Sequence, residues 1–349
     1  MWLCRALAAT FLAATLAGSA TASPPLSIER LAGQSIMTGM SGRLPDAALL
    51  SRIRAGEVGG VILFSFNIGT PSVLTATIAE LQAVAAAGGN PPLLIAIDQE
   101  GGPVRRLSAG PPDLSAAAMG RLGSAAKAGS EGDATGAYLK GLGINVDLAP
   151  VLDTTTRASG WLGDRTFSGN PHVTATLGAR FLAGVQRGGG VAATAKHFPG
   201  LGTAQLSTDT HHVLISTSKA TLDAELLPFE RAIAAGVKLV MVSNAGYSAY
   251  DGSNVPAVLS RPIVDGLLRE KLGFDGVVIS DAMEAPGPSS RPAAPVTAIA
   301  AGVDVLLYTS ETDSDVAYAR IVAAAKDHTL PIGHLEASAA RIEALKGWL

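Results

Sequence analysis

The chain has 349 residues, of which 48% are hydrophobic and 16% are charged, with 40 glycines and 20 prolines. This composition is typical of a globular protein with a large core and excludes a disordered or fibrous chain. The formal net charge is −3, and no lysine- and arginine-rich run is interleaved with aromatic residues, so we expect no nucleic-acid partner.

The first 22 residues have the pattern of an export signal. Arg5 precedes the apolar run 6–16, and Ala20-Thr21-Ala22 offers small residues for cleavage. The apolar run is shorter than the roughly 20 residues of a membrane-spanning helix, and no second run of that length follows. We therefore expect a mature chain of residues 23–349 that is secreted, periplasmic or associated with the cell wall. Cys4 precedes the cleavage site, so we expect no disulfide.

Eight short apolar runs alternate with segments rich in Ala and Leu, which is typical of parallel strands buried on both faces and joined by outer helices. The predicted strands are 34–37, 58–64, 93–98, 144–148, 191–197, 239–242, 276–280 and 303–308. The predicted helices include 75–87, 168–187, 220–235, 261–272 and a closing helix 334–349, and the cluster 286–292 is predicted to be a loop. Eight such units predict an α/β fold, a single-domain (β/α)8 TIM-like barrel.

An open, doubly wound sheet would show the same alternation of strands and helices. Polar residues at the ends of several different strands favour the barrel, because a barrel builds its active site there. Asp98, Lys196 with His197, and Asp281 each follow a different predicted strand. In addition, no glycine-rich dinucleotide fingerprint follows the first strand.

The strand ends carry the candidate chemistry. Asp281 would bring a carboxylate to the barrel mouth, where it could attack an anomeric carbon, although a helix N-cap aspartate explains such a residue as well. Lys196 and His197 could clamp sugar hydroxyls, or they could be a surface charge and a core histidine. A metal site is not expected, because no second His or Cys stands at ligand spacing.

A loop rich in Gly, Thr and Ser contains Asp209-Thr210-His211. A carboxylate that is hydrogen-bonded to an imidazole fixes the tautomer of the imidazole and raises the basicity of the imidazole. Both effects suit proton transfer to a leaving oxygen. We expect this loop to be able to swing over the barrel mouth. Taken alone, the triplet is also that of an ordinary polar loop.

Five spaced segments together resemble glycoside hydrolase family 3, and more narrowly its single-domain bacterial β-N-acetylhexosaminidases. They are 96–102 with Arg106, 143–153, 163–167, 196–200 and Ser280-Asp281. The resemblance extends in order from about residue 33 to the C-terminus.

The resemblance implies a role for eight residues. Asp281 would be the nucleophile of a retaining hydrolase, and His211 would be the acid/base with Asp209 as its partner. Terminal N-acetylglucosamine would be held by Asp98, Arg106, Arg165, Lys196 and His197. The implied substrate is a glycan or muropeptide that contains N-acetylglucosamine, and neither a metal nor an organic cofactor is implied.

Several departures from the family pattern leave alternatives open. Leu201 replaces the usual His of Pro-Gly-His-Gly, Phe66 stands where Arg is frequent, and Ala282 stands where many members have a second acid. The segment before Asp209 is about two residues longer than is common. The alternatives are a phosphorylase, a β-glucosidase of the same family, and a secreted sugar-binding barrel without turnover. The sequence makes no prediction about the oligomeric state.

Overall fold

Eight parallel strands form a closed barrel in the computed structural model, which describes residues 26–155 and 160–349. In chain order they are β1 (Ile36–Thr38), β2 (Gly60–Leu63), β3 (Leu94–Ile97), β4 (Val146–Asp147), β5 (Ala192–Phe198), β6 (Leu239–Val242), β7 (Val277–Ser280) and β8 (Leu306–Leu307). Each strand pairs with the next from β1 to β7, and β8 pairs with β1. A parallel bridge between Ile279 and Val305 joins β7 to β8, so the predicted barrel is confirmed and the open sheet is wrong.

The helices surround the barrel. They are α1 (Ile28–Gln34), α2 (Ala47–Ala55), α3 (Pro71–Ala87), α4 (Ala116–Leu122), α5 (Ala125–Gly141), α6 (Pro171–Val185), α7 (Lys219–Glu225), α8 (Leu227–Ala234), α9 (Pro286–Ser289), α10 (Ala294–Ala301), α11 (Glu311–Lys326) and α12 (Ile332–Trp348), with a π-helix at Pro262–Lys271. Polar side chains cap several N-termini: Asp46 accepts from the Leu49 N–H at 2.8 Å, and Thr70 accepts from the Val73 N–H.

Short strands and 3₁₀-turns lie in the segments that follow the barrel strands. Strands Gln99–Gly101 and Val104–Arg105 form an antiparallel ribbon, and Leu214–Ile215 pairs in parallel with Gly246–Tyr247. Single turns of 3₁₀-helix lie at Ser65–Asn67, Gly163–Arg165 and Ala257–Leu259. The ribbon and the turn at Gly163–Arg165 supply side chains to the cavity at the carboxyl ends of the strands.

The inside of the barrel is a packed core. Its members are apolar side chains from alternate positions of the strands, such as Met37, Ile62, Leu148, Met241, Ile279 and Leu307. Ile342 and Leu345 of α12 belong to the same cluster, so this last helix closes the end of the barrel where the strands begin. The opposite end is left for the site.

All eight predicted strands are confirmed, with the predicted bounds for β6 (Leu239–Val242) and shifted bounds for the other seven. The segment 220–235 forms two helices, α7 and α8, because Pro228 lacks the N–H that a continuous helix would need. The cluster 286–292, predicted to be a loop, begins with one turn of helix, which is compatible with proline in a first turn. The predicted signal, residues 1–22, lies outside the described residues. Within the described ranges, no helix is both long and apolar enough to cross a membrane.

The closure between β7 and β8 depends on one buried carboxylate. Asp304 accepts from the Val278 N–H at 2.8 Å, from Arg269 Nη2 at 2.7 Å and from Arg341 Nη1 at 2.9 Å. Asp304 therefore ties the start of β8 to β7, to the π-helix and to α12. Because its side chain is fully buried, water cannot replace these partners.

Replacing this carboxylate tests the closure. We expect Asp304→Ala to lower the free energy of unfolding by about 3–5 kcal/mol, because two arginines lose a buried partner. Urea unfolding at pH 7 measures the change. As a control, Asp265→Asn removes the pair between Asp265 and the exposed Arg261 and should cost no more than about 0.5 kcal/mol. Equal losses in the two variants would contradict this account of the closure.

Candidate active site

A cavity of about 410 Å³ opens at the carboxyl ends of the strands. Inner-core side chains form its floor: Ile62, Leu148, Met241 and Leu307. Charged and polar side chains line its walls: Asp98, Glu100, Arg106, Arg165, Lys196, His197, Thr208, Asp209, Asp281, Glu284 and Thr309. Seven of the eight residues predicted for the site therefore lie around one cavity, and His211 is the exception.

Lys196, on β5, lies at the centre of an ion network in one wall. Its Nζ is 2.8 Å from Asp98 Oδ1 and 2.7 Å from Glu100 Oε1. Arg165 binds Glu100 with two parallel hydrogen bonds, from Nε and from Nη2, both 2.9 Å long. Arg106 Nη2 lies 3.2 Å from Asp98 Oδ2. Three cations and two carboxylates from four chain segments thus hold one another in place.

The network keeps its members charged. Burial opposes ionisation of Asp98, but the charges of Lys196 and Arg106 outweigh it and hold the pKa of Asp98 at about 2. Burial likewise opposes ionisation of Glu100, and Lys196 and Arg165 nevertheless lower its pKa. Burial would lower the pKa of Lys196, but the two carboxylates raise it. At neutral pH, this wall offers fixed donors and acceptors for the hydroxyl groups of a ligand.

His197 is oriented by a carboxylate behind it. Its Nδ1 is 2.7 Å from Asp153 Oδ2, and both side chains are buried. A carboxylate there keeps a proton on Nδ1 and fixes the orientation of the ring. Asp153 Oδ1 accepts from the Leu201 N–H at 2.7 Å, and the Leu201 side chain lies in the core. Leu201 therefore contributes backbone and packing to the site.

Asp281 follows β7 and lines the same cavity. Its Oδ1 accepts from the N–H of Ala282 at 2.7 Å. Burial raises the pKa of Asp281, and the neighbouring carboxylate of Asp209 adds to this, whereas His197 and Lys196 act in the opposite direction. The result is a carboxylate near the mouth whose charge is less well compensated than those of the ion network.

The loop after β5 presents Asp209, and not His211, to the cavity. Asp209 lines the cavity, while His211 is exposed outside it. His211 Nδ1 lies 2.9 Å from Thr210 Oγ1. In the part of the chain that the structure describes, no hydrogen bond joins Asp209 to His211. The structure therefore brings Asp98, Lys196 and Asp281 together as predicted, but it does not bring His211 to them.

Three carboxylates of the site were missed by the sequence analysis as site residues. Glu100 lies two residues beyond Asp98, and the antiparallel ribbon at Gln99–Gly101 places it against Lys196. Asp153 ends the segment 143–153, but its partner His197 is remote in the sequence. Glu284 lines the cavity, and its Oε1 accepts from the N–H groups of Thr309 at 2.6 Å and of Ser310 at 2.9 Å. The available signals were the position of Glu100 and Asp153 inside the family-like segments 96–102 and 143–153, and the short spacings of Glu100 from Asp98 and of Glu284 from Asp281.

Comparisons with known proteins agree with this architecture. The family model described as the glycosyl hydrolase family 3 N-terminal domain matches residues 33–345. An uncharacterised secreted glycosyl hydrolase of Arthroderma benhamiae is 36% identical over 347 residues, which cover 95% of this chain and 97% of that protein. A β-hexosaminidase of Thioalkalivibrio sulfidiphilus is 34% identical over 320 residues, covering 86% of each.

Solved structures are similar as well. A family 3 β-N-acetylglucosaminidase of a Paenibacillus species superposes with a TM-score of 0.88 at 35% identity, over 93% of this chain, and this chain spans 62% of that one. A β-N-acetylhexosaminidase of Beutenbergia cavernae gives a TM-score of 0.83 at 33% identity, over 93% of this chain and 99% of its own.

The lowered pKa of Asp98 makes stability depend on pH. A folded-state pKa of about 2 lies below the unfolded value of about 3.9, so ionised Asp98 stabilises the fold above pH 4, and this contribution is lost as the pH falls toward 2. We expect Asp98→Asn to lose about 2–3 kcal/mol at pH 7 and to lose less additional stability than the parent between pH 5 and pH 3. Urea unfolding at these pH values measures both effects. An unchanged pH dependence in the variant would contradict the assignment.

Proposed function

The chain belongs to glycosyl hydrolase family 3 and is a glycoside hydrolase, and on that premise we propose that it is a retaining β-N-acetylhexosaminidase. The proposed reaction removes terminal N-acetylglucosamine from glycan or cell-wall fragments. One observation carries the proposal: Asp281 lines the same cavity as the ion network of Asp98, Glu100, Lys196 and Arg165, and core side chains close the bottom of this cavity. A carboxylate opposite a wall of fixed hydroxyl-binding groups suits a sugar-transferring site.

In the first step, Asp281 attacks the anomeric carbon and forms an ester, while the bond to the leaving oxygen breaks. His211 gives its proton to that oxygen. In the second step, His211 takes a proton from water, and the water oxygen displaces Asp281 from the anomeric carbon. Because two displacements invert the carbon twice, the product has the configuration of the substrate.

The proposed role of His211 requires the loop to move. In the described arrangement, Asp209 occupies the cavity wall and His211 faces solvent. An inward movement of this loop would bring His211 over Asp281, and Asp209 would then pair with the imidazole. The Asp209 carboxylate raises the pKa of Asp281. Because the movement would take this carboxylate away from Asp281, it would favour the ionised form of the nucleophile.

The remaining wall residues are proposed to hold the terminal sugar. Asp98, Lys196 and Glu100 offer charged partners to hydroxyl groups, and His197 offers Nε2. Arg165 and Arg106 keep the carboxylates in place. These groups are already positioned before the substrate binds, so little reorganisation is needed as charge develops on the sugar ring.

We also propose that the protein acts outside the cytoplasm of a bacterium, in the periplasm, at the cell wall or in the medium. The export signal that the sequence predicts for residues 1–22 supports this location. The substrates there would be muropeptide or glycan fragments that end in N-acetylglucosamine.

The proposed activity is tested with 4-nitrophenyl N-acetyl-β-glucosaminide and the matching β-glucoside, each with and without phosphate. We expect N-acetylglucosamine to be released as the β-anomer, which proton NMR detects before mutarotation. Asp281→Asn should lower kcat/KM by roughly 10⁴-fold. The control is Asp275→Asn, the same change at an exposed residue at the other end of β7, and it should keep the parental rate.

Other products would contradict the proposal in distinct ways. Preferred release of glucose would indicate a β-glucosidase, and a sugar 1-phosphate would indicate a phosphorylase. An initial α-anomer would exclude double displacement. Tight sugar binding without any turnover would indicate a binding protein.

A further inference from the structure

An aromatic side chain lies exposed just outside the cavity. Phe66 has 57% of its surface exposed, and among the large apolar side chains that are exposed in the described residues it is the only aromatic one. It stacks on Phe64 with ring centroids 5.7 Å apart and an interplanar angle of 10°. Phe64 lines the cavity and packs against the inner core. The two rings thus form a continuous apolar step from the cavity wall to its outer edge.

The step is held rigidly by Asn67. This buried side chain accepts from the Phe64 N–H at 2.8 Å, and its Nδ2 donates to the Met40 carbonyl at 2.7 Å and to the Gly42 carbonyl at 2.6 Å. Arg106 fixes Phe64 further, since its Cζ lies 5.6 Å from the ring centroid. The backbone of the turn that carries Phe66 is therefore fixed, and the Phe66 ring is positioned by its stacking on Phe64.

The closed floor of the cavity determines what can reach Phe66. Core side chains such as Ile62 and Leu307 block the barrel beneath the site, so a terminal sugar must enter first and the rest of the substrate must extend outward. The charged groups of the wall are used by the terminal sugar. A second sugar ring leaving the cavity past Phe64 would meet the apolar ring of Phe66.

We propose that Phe66 is a specificity-determining residue that stacks on the apolar face of a pyranose ring in the leaving group. This inference rests on the proposed function. Aromatic rings attract the C–H face of a sugar through dispersion and through burial of apolar surface, and a ring that is already fixed loses little entropy when it binds. Phe66 would therefore favour oligosaccharide substrates over glycosides with small leaving groups.

Binding to an Asp281→Asn background tests the inference without relying on turnover. Calorimetry gives the Kd of N-acetylglucosamine and of N,N′-diacetylchitobiose, and the ratio of the two measures the gain from the second ring. We expect Phe66→Ala to reduce this gain by roughly two- to tenfold, and Phe66→Tyr to retain it. Leu122→Ala removes a side chain of α4 that is equally exposed, at 59%, and lies outside the cavity lining, so it should leave the gain unchanged.

The outcomes separate the inference from the proposed function. If N-acetylglucosamine binds and the gain is the same in Phe66→Ala as in the parent, the inference is overturned alone. An equal reduction in Leu122→Ala would also overturn it, because the effect would not belong to the step. If neither sugar binds the parent, the proposed function fails and the inference fails with it.

Discussion

The site depends on one buried cation. Lys196 is removed from water, which would be costly for an isolated ammonium group, and only the carboxylates of Asp98 and Glu100 make its burial tolerable. Those carboxylates in turn need Arg106 and Arg165. This mutual dependence holds side chains from the segment after β3, from β5 and from the turn at Gly163–Arg165 within hydrogen-bonding distance of one another. The same charges, which would be costly to bury without partners, then form a rigid polar wall. Hydroxyl groups of a sugar can hydrogen-bond to this wall in place of water, and the wall does not need to rearrange.

Much of the fold could be predicted from the sequence, because every barrel strand is buried on both faces and is therefore a nearly continuous apolar run. The bounds were less accurate where burial extends beyond the hydrogen-bonded strand. The run 144–148 is buried apart from Asn145, for example, but only Val146–Asp147 forms the ladder of β4. The break between α7 and α8 had a local cause in Pro228 that the apolar pattern concealed. Asp98, Lys196 and Asp281 were predicted correctly to converge because they end different parallel strands, and these ends meet at one mouth.

The remaining part of the site depends on geometry that is not local. Glu100 enters the ion network because a tight antiparallel ribbon turns its side chain toward Lys196, and Asp153 finds His197 across 44 positions of sequence. The position of the loop with Asp209 and His211 had no sequence signal, because polar residues of a surface loop are found both in sites and in solvent. Phe66 became informative only when its exposure and its stacking on Phe64 were known.

The central claim is that Asp281 becomes covalently bonded to the sugar. A fluorinated N-acetylglucosaminyl donor that forms the ester quickly and releases it slowly would trap this state, and peptide mapping by mass spectrometry would locate the label. The account predicts one label per chain, on the peptide that contains Asp281, and none in Asp281→Asn. A label on another carboxylate of the cavity, Asp209 or Glu284, would contradict it.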